Sequence, residues 1–286
     1  MQMRHIADVS VSAIGLGAMP MSIEGRPDPA QSLTTILAAL DAGVRHIDTA
    51  NCYHLLAGEV GHNERLVAEA LRQWSGDAST VLVATKGGHL RPGDGTWTQN
   101  GDPAYLKAAA KQSCADLGVE AIGLYYLHRP DPAVPFADSV GALVELLDEG
   151  VILRAGLSNG TVDQIREAND LLGGRLAAVQ NEYSPVHRST QDTLEECDRC
   201  GIAFLPWSPL GGIARAKALG DRLASFHTVA EEHGVSPQQV ALAWELAQSP
   251  HVIPIPGASR PETILDSLAA VDLVLTPEEL ATLNAA

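Results

Sequence analysis

Cysteine, positive charge and long apolar runs are all scarce in this sequence. The 286 residues include four cysteines, too few for a disulfide framework in so long a chain, which predicts a reducing, cytoplasmic location. No apolar run approaches the roughly 20 residues that cross a membrane. The start, Met1–His5, has neither the apolar core nor the cleavage site of a signal peptide.

Positive charge is the second shortage. The chain has 19 Lys and Arg against 35 Asp and Glu, a formal net charge of −16. Because a phosphate backbone needs a clustered basic surface, this balance argues against nucleic acid as a partner. An acidic surface also repels anionic membranes. A bound anionic cofactor is still allowed, since one pocket can be basic on an acidic protein.

Several motifs of other enzyme classes are missing. There is no Walker A sequence, no Gly-x-Ser-x-Gly elbow and no His-Glu-x-x-His pair, so nucleotide hydrolysis, serine-hydrolase chemistry and zinc-protease chemistry are not indicated. Cys197–Cys200 matches C-x-x-C but has no second ligand pair and ends a helical stretch, so a structural role is predicted. Cys114 is predicted as a small helix residue. Asp48, His54 and His62 lack metal-ligand spacing, and no metal is predicted.

What the sequence does contain is a regular alternation of strand-like and helix-like segments. With 45% apolar residues there is enough for one large core. Alternation predicts a parallel sheet with helices outside, and eight strands at this length favour a single α/β domain (residues 1–286) closed as a (β/α)8 TIM barrel. The predicted strands are Ile14–Ala18, Val44–Thr49, Val81–Thr85, Gly123–Leu127, Leu153–Leu157, Leu176–Gln180, Ala203–Trp207 and Val252–Ile255. The predicted helices include Ser32–Leu40, Glu64–Trp74, Pro103–Leu117, Ala137–Leu147, Val162–Leu171, Thr190–Cys200 and Ser236–Gln248.

Two further segments complete the predicted barrel. Arg4–Ile6 and Val9–Val11 flank Ala7-Asp8 and predict a short N-terminal hairpin on the barrel floor. The polar, glycine-rich stretch Arg91–Asp102 is predicted as a loop at the barrel mouth.

Four titratable residues follow strand-like runs in a pattern that suits carbonyl reduction. Asp48, Lys86 and His128 each end a predicted strand, and Tyr53 lies five residues after Asp48. Reduction needs a proton donor with a pKa near neutrality, whereas free tyrosine has a pKa near ~10. Lys86 is expected to lower that pKa, with Asp48 holding Lys86 by an ion pair. His128 is expected to donate a hydrogen bond to the carbonyl oxygen.

Each of these residues has a structural alternative when taken alone. Asp48 is compatible with a turn or helix cap, Lys86 with a solvated strand end, His128 with a loop histidine and Tyr53 with a packed aromatic. Their joint order on successive strand ends is what favours catalysis, because active sites of such barrels lie at the C-terminal ends of the strands.

Cofactor-binding candidates lie at the later strand ends. Gly15–Pro20 lacks the third glycine of a dinucleotide fingerprint and a full preceding strand, so it is interpreted as the first barrel strand. Gly156–Asn159 and Val179–Glu182 place hydroxyl and amide groups where a carboxamide can bind. Trp207–Gly212 offers an aromatic plane and a loop, and Ile255–Arg260 follows the last strand, where such barrels often bind phosphate. Asn159 and Gln180 could also be turn residues, and Trp207 could be core.

Together, these residues resemble the aldo-keto reductases, which reduce carbonyls with a nicotinamide cofactor inside an α/β barrel. The resemblance runs from the hairpin to Leu275–Leu280 and includes Gly61–Arg65 and Leu127–Pro130. It implies a catalytic tetrad of Asp48, Tyr53, Lys86 and His128. It also implies that NADPH contacts Gly17, Ala18, Met19, Asp48, Ser158, Asn159, Gln180, Trp207, Ser208, Leu210, Gly257, Ser259, Arg260 and Ser267. Among these, Ser158, Asn159 and Gln180 would hold the carboxamide, Trp207 would stack on the ring, and Ser259 and Arg260 would lie at the 2′-phosphate.

The sequence departs from that family at a few positions. His54 stands where glycine is common, Asn51-Cys52 is unusual before the tyrosine, Trp207 replaces a more frequent tyrosine, and Ser267 replaces asparagine. These positions bear on substrate shape and cofactor affinity. The chain ends soon after its last predicted helix, without a long C-terminal loop, so an open pocket is expected.

Three functions are compatible with these sequence features. The first is an NADPH-dependent reductase of aldehydes and ketones, with a small-molecule carbonyl as its partner and a monomer or weak homo-oligomer as its state. The second is a cofactor-binding, redox-sensing partner subunit similar to channel β subunits, which the intact tetrad and the lack of an extra N-terminal segment disfavour. The third is a metal-dependent barrel hydrolase. The sequence does not identify the carbonyl, since specificity lies in the loops.

Overall fold

A curled parallel sheet organises the molecule. The computed structural model describes residues 2–212, 216, 219 and 223–286. Seven parallel strands lie in the order β11-β10-β9-β8-β5-β4-β3. The strands are β1 (Met3–Ile6), β2 (Val9–Ser12), β3 (Leu16–Gly17), β4 (His46–Asp48), β5 (Leu82–Gly87), β6 (His89–Leu90), β7 (Thr98–Gln99), β8 (Leu124–Leu127), β9 (Ala155–Ser158), β10 (Leu176–Gln180) and β11 (Ala203–Phe204).

Helices surround this sheet on the outside. They are α1 (Pro29–Asp41), α2 (His62–Gln73), α3 (Pro103–Leu117), α4 (Phe136–Asp148), α5 (Val162–Leu171), α6 (Gln191–Cys200), α7 (Ala224–His233), α8 (Pro237–Gln248), α9 (Pro261–Ala269) and α10 (Pro277–Asn284). The seven helices predicted from the sequence are present with ends shifted by at most a few residues, while α7, α9 and α10 were not among them. Local signals fix several starts: the side chains of Asp28, Asp102, Thr161, Ser236 and Thr276 cap their helices.

The eighth strand of the barrel does not form as a regular strand. The predicted run Val252–Ile255 pairs on both sides, but only through single bridges, Val252 with Phe204 and Gly257 with Gly17. Pro254 and Pro256 lack an N–H and cannot donate to a ladder. Their carbonyls do accept, at 2.9 Å from the Gly15 amide and 3.0 Å from the Gly17 amide. Residues 252–257 therefore close the sheet into a (β/α)8 barrel, as predicted, without the two N–H donors that the prolines lack.

Close approach at this seam requires glycine at position 17. A Cβ built on Gly17 would lie 2.8 Å from the Ile255 carbonyl oxygen. Two other strands are also shorter than predicted. β11 ends at Phe204 rather than Trp207 because Pro206 interrupts it, and Leu153, placed in the fifth strand from the sequence, is 57% exposed.

The N-terminal hairpin lies on the barrel floor, as the sequence predicts. β1 and β2 pair antiparallel around Ala7, and Ile6 and Val11 are buried against the inward side chains of the sheet. The guanidinium of Arg4 donates to the carbonyls of Leu246 and Ser249, both at 2.6 Å. None of the helices that the structure describes is long and apolar enough to cross a membrane.

One buried carboxyl in α8 has no evident compensation. Glu245 is fully buried, and neither carboxyl oxygen has a hydrogen-bond partner among the described residues. Burial raises its pKa well above the ordinary value. In the folded protein Glu245 therefore keeps its proton to a higher pH than it does in the unfolded chain.

Replacement of Glu245 by methionine is expected to stabilise the protein increasingly as pH rises. An acid whose pKa is raised by folding contributes stability that is complete below the unfolded pKa and is lost as pH increases toward the folded pKa. The wild type should lose about 1.4 kcal/mol per pH unit across that window, and the variant should not. Urea unfolding of both proteins at pH 5 and pH 8 measures this, with the exposed Glu232→Met as the control. If the free energies of unfolding of the wild type and Glu245→Met differ by the same amount at both pH values, the raised pKa of Glu245 would be contradicted.

Candidate active site

A cavity of about 370 Å³ opens at the C-terminal ends of the strands, a size suited to a small ligand. Twelve of the predicted site residues line it: Gly17, Met19, Asp48, Tyr53, His128, Ser158, Asn159, Gln180, Trp207, Ser208, Leu210 and Gly257. The barrel thus brings together groups that are separated by up to 240 positions in the chain.

Lys86 is the centre of the charged part of the site. It is the fifth residue of β5 and is fully buried. Its ammonium donates to Asp48 Oδ1 at 2.6 Å, to the Thr49 carbonyl at 2.8 Å and to the Tyr53 hydroxyl at 3.0 Å. An ammonium has three donors, so every one is used and the side chain is fixed. Asp48 and Tyr53 are thereby connected through a single cation, as the sequence predicted.

Asp48 is held from a second side by an amide. Its Oδ2 accepts from Gln180 Nε2 at 2.8 Å. Gln180 lines the cavity as expected for a cofactor ligand, but its amide nitrogen is committed to Asp48. The sequence did not predict that Gln180 would orient the Asp48 carboxylate of the ion pair.

The acidity of Tyr53 differs from the sequence-based expectation. Burial, followed by the charge of Asp48 and by Cys52, raises the pKa of Tyr53 well above its usual value. The expected lowering of this pKa is therefore wrong for the free protein, because desolvation has the largest effect on the Tyr53 hydroxyl. The hydroxyl is fully protonated at neutral pH. Lys86, 3.0 Å from this oxygen, is placed to stabilise the phenolate once the proton has left.

His128 contributes a neutral imidazole. Burial first, then the charges of Lys86, His89 and Arg129, lowers its pKa well below the ordinary value. Its Nδ1 lies 3.5 Å from Cys52 Sγ, and its ring packs edge-on against Tyr53 with centroids 5.8 Å apart. As a neutral hydrogen-bond donor His128 can polarise a carbonyl without delivering a full charge.

Cys52, His89 and His128 approach one another closely. Their ligand atoms lie within 4.8 Å of each other, and no other such trio occurs in the described part of the chain. Sequence spacing did not indicate it, because the three residues follow three different strands. Lys86 and Arg91 act electrostatically on the Cys52 thiol, and these two positive charges disfavour a cation at this position.

The opposite wall of the cavity carries hydroxyl and amide groups. Asn159 Nδ2 donates to Ser158 Oγ at 2.9 Å and to the His128 carbonyl at 3.0 Å, while Ser158 Oγ donates to the Gln180 carbonyl at 2.8 Å. Asn159 has φ +61° and Ser208 φ +52°, strained values for side chains other than glycine that cluster at functional sites. The indole Nε1 of Trp207 is buried without a partner among the described residues.

A short hairpin completes the cavity. From the sequence, this segment is predicted only as a loop at the barrel mouth. β6 and β7 pair antiparallel, and His89 and Trp97 from this hairpin line the cavity with ring centroids 4.9 Å apart. The Arg91 guanidinium lies 4.8 Å from the centroid of the Trp97 ring. His89 and Trp97 were not among the predicted site residues. The two strands of this hairpin have only two residues each, too few to show the alternation that identifies a strand in a sequence.

The chain matches the description "Aldo/keto reductase family" over residues 13–286. It belongs to the aldo/keto reductase family. An uncharacterized oxidoreductase of Schizosaccharomyces pombe is 35% identical over 98% of this chain and 88% of that protein. Pyridoxine 4-dehydrogenase of Escherichia coli is 32% identical over 96% of this chain and 94% of that enzyme. The resemblance stated from the residues is therefore confirmed.

Solved structures agree with this assignment of the fold. A glycerol dehydrogenase of Gluconobacter oxydans superposes with a TM-score of 0.84 at 25% identity, covering 99% of this chain and 94% of that one. A thermostable aldo-keto reductase crystallised with the inhibitor epalrestat gives 0.82 at 24% identity, covering 100% and 99%. As an aldo/keto reductase the protein is an oxidoreductase, and enzymes of this family generally use NAD(P)H.

Four residues of this aldo/keto reductase that were predicted to contact the cofactor are not among those that line the cavity. Ala18 is buried and bonds through its backbone to Asp48. The Ser259 carbonyl accepts from Gln31 Nε2 at 2.8 Å, and Arg260 is exposed at the N-cap of α9. The Ser267 hydroxyl is buried and donates to the Thr263 carbonyl at 3.0 Å. The predicted cofactor contact of Ser267 stays a prediction, and the hydrogen of its hydroxyl is engaged within the helix.

Proposed function

We propose that this protein reduces aldehydes or ketones to alcohols, with NADPH as the hydride donor and Tyr53 as the proton donor. The observation that carries the proposal is the triple contact of the buried Lys86 ammonium with Asp48, Thr49 and Tyr53. The buried Lys86–Asp48 ion pair does not require the Tyr53 hydroxyl in order to form. The contact with a phenol that lines an open cavity is therefore not explained by stability. It does suit a group that must lose a proton and recover it.

The residues that surround the cavity fit a reduced nicotinamide nucleotide. Ser158, Asn159 and Gln180 supply hydroxyl and amide groups to a carboxamide, and Trp207 offers an aromatic plane. Gly211 and Gly212 have φ of +78° and +95°, the backbone that forms anion-binding concavities. When bound, the cofactor supplies the hydride that is added to the carbonyl carbon.

The protein's own groups handle the oxygen of the substrate. A carbonyl that enters the cavity meets the Tyr53 hydroxyl and the His128 ring side by side. His128 donates a hydrogen bond that orients the oxygen and stabilises its developing negative charge. Tyr53 transfers its proton to that oxygen, since an alkoxide is far more basic than a phenolate. The phenolate left behind is stabilised by the Lys86 ammonium, itself fixed by Asp48.

The substrate end of the cavity favours planar, aromatic aldehydes. His89, Trp97, Tyr53 and His128 supply ring surfaces there. One relative in the family, pyridoxine 4-dehydrogenase, is named for a pyridine alcohol. Pyridoxal and simple benzaldehydes are therefore the first compounds to test.

A panel assay tests this function. NADPH oxidation is followed with pyridoxal, benzaldehydes, aliphatic aldehydes and ketones, each with product analysis and with cofactor-free and substrate-free controls. Turnover of at least one carbonyl class to its alcohol is expected. Tight NADPH binding with no turnover of any compound would contradict the proposal and favour a cofactor-binding, redox-sensing subunit.

Arg260→Ala is expected to weaken NADPH binding by roughly 10- to 150-fold and NADH binding far less. The extra charge of a 2′-phosphate calls for a cation on this acidic protein, and Arg260 is the cation in the loop after the last strand. A charge-assisted hydrogen bond contributes about 1.5–3 kcal/mol, which gives that range of affinity. Arg260 is exposed and its side chain makes no capping bond, so it is available to a ligand.

Asp266, one of the carboxylates near Arg260, is already engaged by other groups. Asp266 accepts from Ser236 Oγ at 2.8 Å and from Gln239 Nε2 at 2.6 Å, and so faces the start of α8. Fluorescence titration with both nucleotides measures the two affinities. Arg72→Ala, which removes another exposed cation from the last turn of α2, is the charge-matched control. Equal weakening of NADPH and NADH by Arg260→Ala, or tighter NADH binding in the wild type, would refute the assignment.

A further inference from the structure

Cys52 lies beside the imidazole of His128. It lies between β4 and Tyr53, is almost fully buried, and packs with Ala50, Tyr53 and Met19. Its Sγ lies 3.5 Å from His128 Nδ1, within the range of a sulfur hydrogen bond. The His128 main chain is fixed independently, because its amide donates to the Gly87 carbonyl at 2.8 Å.

A neutral imidazole has one N–H and two possible positions for it. His128 is neutral, as described above, so one ring nitrogen donates and the other accepts. Nδ1 faces Cys52. Nε2 has no hydrogen-bond partner among the described residues, and His128 lines the cavity, so Nε2 is the nitrogen left for a ligand. Only the form protonated at Nε2 can donate to a carbonyl oxygen.

We propose that Cys52 is a positioning residue whose thiol donates to His128 Nδ1 and thereby keeps the proton on Nε2. The thiol is a weak donor and sulfur a poor acceptor, whereas an imidazole nitrogen is a good acceptor. Pairing S–H with Nδ1 therefore uses the better acceptor, and the reverse pairing does not. The hydrogen bond made by one ring nitrogen sets the protonation of the other.

The thiol is suited to remain a donor throughout turnover. Burial raises the pKa of Cys52 to about 12, although Lys86 lowers it in part, so Cys52 retains its proton at any working pH. Its burial also shields the S–H from water that would compete for Nδ1. Fixing the tautomer deepens the proposed function and rests on it, since the donor role of His128 belongs to that reaction.

The test combines nitrogen NMR with kinetics on the whole protein. Histidine-selective 15N spectra distinguish Nδ1–H from Nε2–H, and His128→Gln identifies the relevant signals. The wild type is expected to show Nε2–H at His128. Cys52→Ala should populate the Nδ1–H form and lower kcat/KM for the carbonyl by about two- to tenfold, the range of a neutral hydrogen bond. Cys52→Ser, which keeps a donor, should restore the tautomer and most of the rate.

Cys114→Ala, which removes a thiol on the outer helix α3, is the matched control and should change neither readout. A wild-type His128 protonated at Nδ1 would overturn the proposal. So would a Cys52→Ala variant with unchanged tautomer and unchanged kinetics. Failure of the proposed function is separate: a protein that reduces no carbonyl while its His128 tautomer still follows Cys52 would refute the reaction but not the hydrogen bond.

Discussion

Tyr53→Phe should lower carbonyl reduction by roughly 10²–10⁴-fold, the usual effect of removing a general acid, with little change in NADPH affinity. Only the phenolic oxygen is lost, and the ring retains its edge-on packing against His128. Steady-state kinetics with the best substrate of the panel measure the rate, and fluorescence titration measures the cofactor.

Tyr183→Phe provides the matched control for this substitution. Its hydroxyl donates to Gln191 Oε1 at 2.6 Å and its ring stacks on Trp244, and neither of these partners lines the cavity. Loss of that hydroxyl should affect stability rather than turnover. Activity of Tyr53→Phe within a few-fold of the wild type would remove Tyr53 from its role.

Lys86→Met and Asp48→Asn should each slow turnover strongly, and the double variant should be far less impaired than the product of the two single effects. Lys86 stabilises the phenolate, and Asp48 acts through the position of Lys86, so the two belong to one unit. Removing the cation alone also leaves the Asp48 carboxylate buried and short of a partner, a change that typically destabilises by about 3–5 kcal/mol. Part of the loss in Lys86→Met should therefore be reversed when Asp48→Asn is added.

Two measurements on all three variants check this coupling. kcat/KM is determined for each, and chemical unfolding verifies that every variant is folded under assay conditions. Effects that multiply strictly would show that Lys86 and Asp48 act independently, contrary to the shared contact at 2.6 Å.

The sequence predicted those features that depend on local patterns. Strand–helix alternation gave the barrel, and the apolar runs before Asp48, Lys86 and His128 placed all three at the same end of the sheet. Parallel strands fix the direction of each such residue, so their meeting in space follows from the fold. The family and the barrel are confirmed by the comparisons. The roles of the individual site residues stay predictions.

Features that depend on tertiary burial were beyond the sequence. The pKa of Tyr53 rises because the barrel removes water from it, and no residue order reveals that desolvation. Gln180 commits its amide to Asp48 across 132 positions. His89 and Trp97 line the cavity from a hairpin too short to show strand periodicity. Pro254 and Pro256 lack the N–H donors of a regular eighth strand.

The most direct test of the account is to follow the hydrogen that reaches carbon. NADPH carrying deuterium at the reactive position of its nicotinamide is incubated with the enzyme and an aldehyde from the panel, and the product is examined by mass spectrometry. An NADPH-dependent carbonyl reductase should form one alcohol per NADPH consumed, with one deuterium bound to the former carbonyl carbon. Alcohol without that label, or NADPH consumption without alcohol, would contradict it.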